Sequence, residues 1–94
     1  MNSYETMFIV NPNLTEEEND AEIARVQAVI EEAGEVGSVD KWGKKKLAYP
    51  IMKFEEGYFN IIDFKAETKI LAELDHVFKV TENILRGIYV RKED

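Results

Sequence analysis

The strongest candidate for chemistry in this chain is a basic segment, residues 41–53, which contains five lysines and no acidic residue. Lysine ammonium groups neutralise phosphates and release counterions, and aromatic rings can stack on nucleic-acid bases. Lysines on an edge strand also keep sheets from aggregating, so the composition alone leaves both interpretations open. The lack of any acid favours RNA, because a solvated face usually mixes charges of both signs. The residues of this segment predicted to contact RNA are Lys41, Trp42, Lys44, Lys45, Lys46 and Tyr49.

The net charge of the chain is −7, which taken as a whole argues against a nucleic-acid partner. The distribution of charge is more informative than its sum. Residues 1–40 carry ten acids and one base, residues 41–53 carry only the five lysines, and residues 54–94 carry nine acids and six bases. One short basic stretch therefore stands out inside an acidic protein. We expect the isolated protein to bind RNA weakly, with a partner supplying further contacts.

Other reactive side chains lack the partners that catalysis or metal binding requires. His76 is the only histidine, and the chain contains no cysteine. Adjacent glutamates do not face each other on a helix, and no glycine-rich phosphate loop is present. We therefore expect no enzyme activity, no cofactor, no metal and no small-molecule substrate. No signal peptide or membrane-spanning apolar run is visible, which predicts a cytoplasmic protein without membrane contact.

The elements that would position these residues follow the order strand, helix, strand, strand, helix, strand. Strand-forming residues predict strands over residues 4–10, 36–53, 58–64 and 84–90. Thr15 and Glu18 form a capping-box pattern for a first helix over residues 16–33, and Thr68 is a candidate cap for a second helix that ends before residues 81–83. Residues 55–57 read as a hairpin turn. Gly43 predicts a bulge or bend, and Pro50 predicts an edge strand or the end of the strand. Alternation in the first strand places Tyr4, Thr6, Phe8 and Val10 on one face.

This order predicts an α+β fold of the ferredoxin-like βαββαβ type, with two helices on one face of a four-stranded antiparallel sheet. Ninety-four residues fit a single domain, residues 1–94. The other face must meet water or a partner, and its excess of apolar residues indicates a protein partner. Protein surfaces are ordinarily more than half apolar, so both interpretations stay open. The residues predicted for this partner face are Met7, Ile9, Phe59 and Ile61.

Residues 43–51, GKKKLAYPI, resemble the signature segment of the bacterial small-subunit ribosomal protein S-six family. Tyr4-Glu5 followed by NPNL at residues 11–14 is similar to the start of that family, and GYF at residues 57–59 resembles its third strand. The resemblance covers nearly the whole chain. It implies a ferredoxin-like fold, no catalysis, and binding to small-subunit ribosomal RNA in the central domain during assembly.

The same resemblance implies pairing with ribosomal protein S-eighteen and assigns roles to individual positions. The three lysines at 44–46 match the basic part of the motif, and Tyr49 matches its tyrosine. The chain departs from the family pattern where arginine often precedes Tyr4, since Asn2 and Ser3 stand there. A basic last strand implies further RNA contacts from Arg86, Arg91 and Lys92.

Three alternatives can be compared with the ribosomal interpretation. An RNA-recognition motif of the same topology carries a basic-Gly-aromatic-Gly-aromatic pattern on its third strand, which Glu56, Phe59 and Asn60 interrupt here. An acylphosphatase-like hydrolase needs a positioned arginine and an anion cradle, and the loop at residues 11–14 has neither arginine nor glycine. A non-ribosomal regulatory or protein–protein module would use the uncovered sheet face and bind no RNA.

Overall fold

Six elements form the fold, in the order that the sequence predicted. The computed structural model describes residues 2–92. The elements are β1 (Asn2–Val10), α1 (Glu16–Glu31), β2 (Gly34–Ile51), β3 (Phe54–Ala66), α2 (Ile70–Val80) and β4 (Ile84–Lys92). The strands form one antiparallel sheet in the order β2-β3-β1-β4, so the predicted ferredoxin-like α+β fold is confirmed.

The core lies between the two helices and one face of the sheet. The alternation predicted for β1 is confirmed, because Tyr4, Thr6, Phe8 and Val10 are all buried. Tyr4, Phe8 and Val10 pack with the apolar stripes of both helices, which include Ile23, Val26 and Ile30 of α1 and Ile70 and Leu74 of α2. The face of the sheet away from the helices is called the open face below.

The sheet has two edges of different character. β2 is one edge strand, as Pro50 within it predicted, because proline has no N–H to donate to a ladder. Its pairing with β3 is broken at three places, one of them beside Gly43, where φ is 79°. The predicted bulge is therefore confirmed. β4 forms the other edge, and its pairing with β1 is regular apart from one shift at Ile9/Val10.

A capping box begins α1, as the sequence predicted. The Oγ1 atom of Thr15 accepts a hydrogen bond from the backbone N–H of Glu18 at 3.2 Å, and Oε1 of Glu18 accepts one from the N–H of Thr15 at 3.0 Å. The acidic residues of the first turn lie at the positive end of the helix dipole. The helix ends at Glu31, two residues earlier than predicted.

A buried pair of amides joins α1 to β3. Asn19 donates to Oδ1 of Asn60 at 3.3 Å, and Asn60 donates back to Oδ1 of Asn19 at 2.9 Å. Both residues are buried, so these bonds satisfy groups that would otherwise be costly to remove from water. The pair fixes where α1 lies over the sheet, and it thereby places the neighbouring Asp20 beside β2.

The turn between β2 and β3 lies at Met52 and Lys53, so its prediction at residues 55–57 was wrong. The φ angles of these two residues are 50° and 72°, and Ile51 pairs with Phe54 across the turn. Two consecutive left-handed residues are the geometry of a type I′ hairpin, for which the twist of the strands is well matched. Here the strand pairing holds that geometry without the usual asparagine and glycine.

Gly57 lies inside β3 instead of in a turn, and close packing explains the glycine. A Cβ atom added there would clash with Cγ2 of Ile9 and lie 3.2 Å from the carbonyl oxygen of Val10. The glycine therefore lets β1 and β3 approach with the Ile9 side chain lying across the backbone.

The predicted cap of α2 was also wrong. Lys69 occupies the N-cap position and makes no capping hydrogen bond with its side chain. The first turn is closed by backbone bonds, such as that from the N–H of Ile70 to the carbonyl of Glu67 at 3.0 Å. The hydroxyl of Thr68 instead lies 3.5 Å from the side-chain amide of Asn2. Within residues 2–92, neither helix has the length and apolar character needed to cross a bilayer.

Candidate RNA-binding edge and partner face

The predicted RNA-binding lysines of β2 lie around one edge of the sheet. The name basic edge is used here for Lys41, Lys44, Lys45 and Lys46. Lys41 and Lys44 are in register with residues of β3 that point toward the helices, whereas Lys45 is opposite Gly57 on the open face. All four lysines are exposed. Their ammonium groups therefore project from both sides of the strand. The basic edge can contact phosphates along a curved backbone, which a flat surface would not do.

Lys41 is the one member of the basic edge that is bound by a carboxylate of the protein within residues 2–92. Its Nζ atom lies 2.9 Å from Oδ1 of Asp20. The hydrogen bond from Lys41 to Asp20, reinforced by Coulomb attraction, raises the pKa of Lys41. Both side chains are about half exposed, at 54% and 52%, so water weakens the pair. Lys41 can contact an RNA phosphate only in competition with Asp20.

Lys44 and Lys45 lie over aromatic rings. The Nζ atom of Lys44 is 5.3 Å from the ring centre of Tyr58, and that of Lys45 is 5.9 Å from the ring centre of Trp42. Such cation–π contacts orient an ammonium group without using up its hydrogen-bond donors. Neither Lys44, Lys45 nor Lys46 forms an ion pair within the described part of the chain.

Beyond Lys46, β2 bends into an arch formed by residues 47–50. The pairing passes from Lys46–Glu56 directly to Ile51–Phe54, so residues 47–50 of β2 stand opposite residue 55 alone. Leu47 is buried and anchors the arch, whereas Tyr49 is 82% exposed. The exposed ring lies close along the chain to Lys46, which is the kind of arrangement that stacks on an unpaired base.

The other predicted RNA contacts lie on β4, at the far edge of the sheet. Arg91 donates to Oδ1 of Asn2 at 3.0 Å, and Nζ of Lys92 lies 3.2 Å from Oδ1 of Asp63. Arg86 is exposed on the open face. Because β3 and β1 separate β4 from β2, the fold does not gather all the predicted RNA contacts into one surface.

The four residues predicted for a partner face do come together. Met7 is directly opposite Ile61, and Ile9 is directly opposite Phe59, on the open face. Between this apolar group and the arch lies a groove of about 400 Å³. Its apolar lining comes from Met7, Ile9, Leu47, Ala48, Ile51, Phe59 and Ile88, and the predicted RNA contacts Lys46, Tyr49 and Arg86 line it as well.

Residues 2–92 hold no cluster of side chains of the kind that binds a metal ion. No group of three or more histidine, cysteine or acidic side chains lies close enough to hold an ion. His76 is exposed on α2.

Comparison with known proteins identifies the kind of protein that carries these surfaces. Residues 3–91 match the family described as Ribosomal protein S6. The chain belongs to the ribosomal protein S6 family.

Relatives of the chain in the S6 family cover its full length. It is 48% identical over 94 residues to the small ribosomal subunit protein bS6 of Clostridium novyi, with 99% of each chain covered. The bS6 protein of Caldanaerobacter subterraneus subsp. tengcongensis is 41% identical over 95 residues, with 100% of each chain covered. The crystal structure of 30S ribosomal protein S6 from Thermotoga maritima superposes with a TM-score of 0.91 at 39% identity, covering 97% of this chain and 87% of that one.

Membership of the S6 family makes the chain a structural constituent of the small ribosomal subunit and not an enzyme, so both expectations are confirmed. Family membership also confirms the expected location of the protein, which is the ribosome in the cytoplasm. The segment that carries the resemblance, residues 43–51, is the part of β2 that forms the bulge, most of the basic edge and the arch.

Two features of these surfaces were missed by the sequence analysis. Leu47 was counted only as a strand former, and nothing in its spacing shows that it turns inward under the arch. The second feature is that Glu5 lies directly opposite Asp63 on the open face. Strand parity already puts Glu5 on the face of Met7, so the signal was present, but the pairing register was needed to find its neighbour.

Proposed function

We propose that this protein binds small-subunit ribosomal RNA in the central domain through its basic edge, together with ribosomal protein S-eighteen bound on the open face, during assembly of the subunit. The observation that carries the proposal is the local concentration of positive charge on β2. Lys44, Lys45 and Lys46 are consecutive, exposed and without an ion pair in the described residues, in a chain whose net charge is −7.

The aromatic side chains beside these lysines support RNA rather than another polyanion. Trp42 is 51% exposed and Tyr49 is 82% exposed. Exposed rings between cations provide stacking for unpaired bases, which is how proteins usually recognise RNA loops and junctions. Arg91 and Lys92 of β4 are proposed as secondary contacts because they lie on the opposite edge. Arg86 of β4 lines the same groove as Lys46 and Tyr49.

The open face supports a protein partner. The apolar group of Met7, Ile9, Phe59 and Ile61 lines or borders a groove that no other part of residues 2–92 fills. Such a surface gains from burial against apolar side chains and gains nothing from a phosphate backbone. Lys46, Tyr49 and Arg86 also line this groove, so the proposed contact surfaces of the RNA and the protein partner adjoin each other there.

The RNA part is tested by filter binding to a fragment of the central-domain junction, with and without S-eighteen, at several salt concentrations. Replacing Lys44, Lys45 and Lys46 with alanine should weaken binding and reduce the slope of log K against log salt by about 2 to 3, because each phosphate contact contributes about 0.7–0.9. Absence of binding by the unaltered protein under both conditions would remove the proposal.

A matched control separates the site from the overall charge. Lys65, Lys69 and Lys79 are exposed and lie away from the basic edge, so their replacement with alanine changes the net charge by the same amount. The control variant should keep most of the affinity and most of the salt slope. An equal loss in the two triple variants would show that net charge, and not the basic edge, governs binding.

A further inference from the structure

The pairing register arranges the open face in rows that cross the four strands. One row runs Arg86, Ile9, Phe59, Gly43 and the next runs Ile88, Met7, Ile61, Asp40. A third row runs Val90, Glu5, Asp63, Ser38. The first two rows are mainly apolar, and the third has two carboxylates at its centre. The open face therefore changes from apolar to charged along the direction of the strands, and the row beyond the two carboxylates contains Lys92 and Lys65.

The carboxylates of the third row are unequal in their partners. Asp63 accepts a hydrogen bond from the hydroxyl of Ser38 at 3.2 Å and lies 3.2 Å from Nζ of Lys92. Glu5 makes neither a salt bridge nor a side-chain hydrogen bond within residues 2–92. Like charges directly opposite each other on a sheet are destabilising, and their Cβ atoms are only about 4.5–5.5 Å apart. Glu5 is thus a half-buried carboxylate beside a second negative charge.

We propose that Glu5 binds a lysine or arginine of the protein partner whose apolar side chains fill the groove beside it. This inference rests on the proposed pairing of the open face with S-eighteen and specifies the chemistry of that contact. Successive rows are about 6–7 Å apart, since each strand residue rises about 3.3 Å. The partner therefore presents a basic residue about one helical turn, or two strand residues, beyond its apolar anchor.

The arrangement of the face favours a protein over RNA at this position. A phosphate placed over the third row would meet two carboxylates, of which only Asp63 is paired with a lysine, whereas a cationic side chain would neutralise Glu5. An RNA base could cover the apolar rows but could not supply the cation. A second copy of this chain would bring two acidic faces together. A partner with adjacent apolar and basic side chains is complementary to both parts of the surface.

The test compares Glu5→Gln with the unaltered protein in binding to S-eighteen and in thermal unfolding of the free chain. Binding should weaken about tenfold and lose part of its salt dependence, because a contact between ionised groups is removed. The melting temperature of the free chain should rise by about 1–4 °C, because a like-charge pair has been relieved. Opposite effects on binding and stability distinguish a contact residue from a structural one.

Two further variants serve as controls. Glu82→Gln removes the same charge from an exposed loop and should change neither measurement. Ile88→Ala, in the apolar part of the face, should weaken binding without changing its salt dependence. If S-eighteen binds the unaltered chain and Glu5→Gln equally tightly, the role of Glu5 is wrong while the pairing stands. If S-eighteen does not bind at all, the pairing itself fails, and the inference with it.

Discussion

The contact between Lys41 and Asp20 leads to a prediction of increased function. Asp20 holds the ammonium group of Lys41 at 2.9 Å, on the side of β2 that meets α1. An RNA phosphate must displace this carboxylate before it can use Lys41. Replacing Asp20 with asparagine removes the negative charge and keeps the size of the side chain, so Lys41 becomes available and RNA binding should become tighter.

The size of the effect follows from the exposure of the pair. Both side chains are about half exposed, and ion pairs of this kind are weak, so the gain in affinity should be about 1.5- to 5-fold. One additional phosphate contact steepens the slope of log K against log salt by about 0.7–0.9. Because of this difference in slope, the ratio of the affinity of Asp20→Asn to that of the unaltered protein changes about threefold between 50 and 200 mM salt. The advantage of Asp20→Asn should therefore be about three times larger at the lower concentration.

Filter binding or fluorescence anisotropy with the junction RNA measures both quantities. Glu31→Gln, which removes one exposed charge at the other end of α1, is the matched control and should leave the slope unchanged. The double variant Asp20→Asn with Lys41→Ala should lose the gain, because the benefit passes through Lys41. An equal gain in Glu31→Gln, or a gain that survives the loss of Lys41, would refute the reasoning.

Three stability predictions concern elements that position the two surfaces, each checked by urea or thermal unfolding. Thr15→Ala removes the capping box and should cost about 1 kcal/mol, lowering the melting temperature by about 4–8 °C with unchanged affinity for RNA; an unchanged melting temperature would show that the cap does not stabilise α1. Asn60→Ala breaks two buried hydrogen bonds and leaves the buried amide of Asn19 without a partner. The free energy of unfolding should fall by about 2–4 kcal/mol. The double variant with Asn19→Ala should lose less than the sum of the single losses, and strict additivity would contradict the pairing. Replacing Met52 with asparagine and Lys53 with glycine should raise the free energy of unfolding by about 1 kcal/mol, because these residues favour a left-handed turn. An unchanged stability would show that the present turn carries no strain.

The parts of the fold that repeat along the chain could be predicted from the sequence. Alternation correctly divided β1 between its two faces, because a strand with one buried face must place every second residue in the core. The start of α1 was predicted correctly from Thr15 and Glu18, because a capping box depends only on two residues that are three apart in the sequence. These signals are local, so they do not require knowledge of the rest of the fold.

The predictions that were wrong concern features that depend on contacts between distant residues. The sequence favoured a turn at residues 55–57 because glycine follows two acids, but Gly57 is required by the side chain of Ile9, 48 positions earlier. Met52 and Lys53 carry no turn signal of their own and are held in the left-handed region by the pairing of the strands around them. Thr68 resembled a cap, yet its hydroxyl is directed to Asn2.

The candidate site was predicted in part for the same reason. The lysines of the basic edge are neighbours in sequence and remain neighbours in the structure. The cations of β4 were grouped with them through the resemblance to the family, and only the strand order shows that two strands lie between the groups. The Asp20 contact of Lys41 also needed the position of α1 over the sheet.

The central position of β1 has a consequence for how the chain folds during and after its synthesis. This strand pairs on one side with β4, so that Ser3 meets Lys92 only after all the residues between them have been synthesised. Contacts between such distant residues carry a large loop-closure entropy and tend to slow folding. A nascent polypeptide that lacks residues 84–92 leaves β1 as an unpaired apolar margin open to aggregation. The sheet is therefore complete only after β4 has been synthesised and has paired with β1, and truncation within this strand should yield an insoluble fragment rather than a smaller native protein.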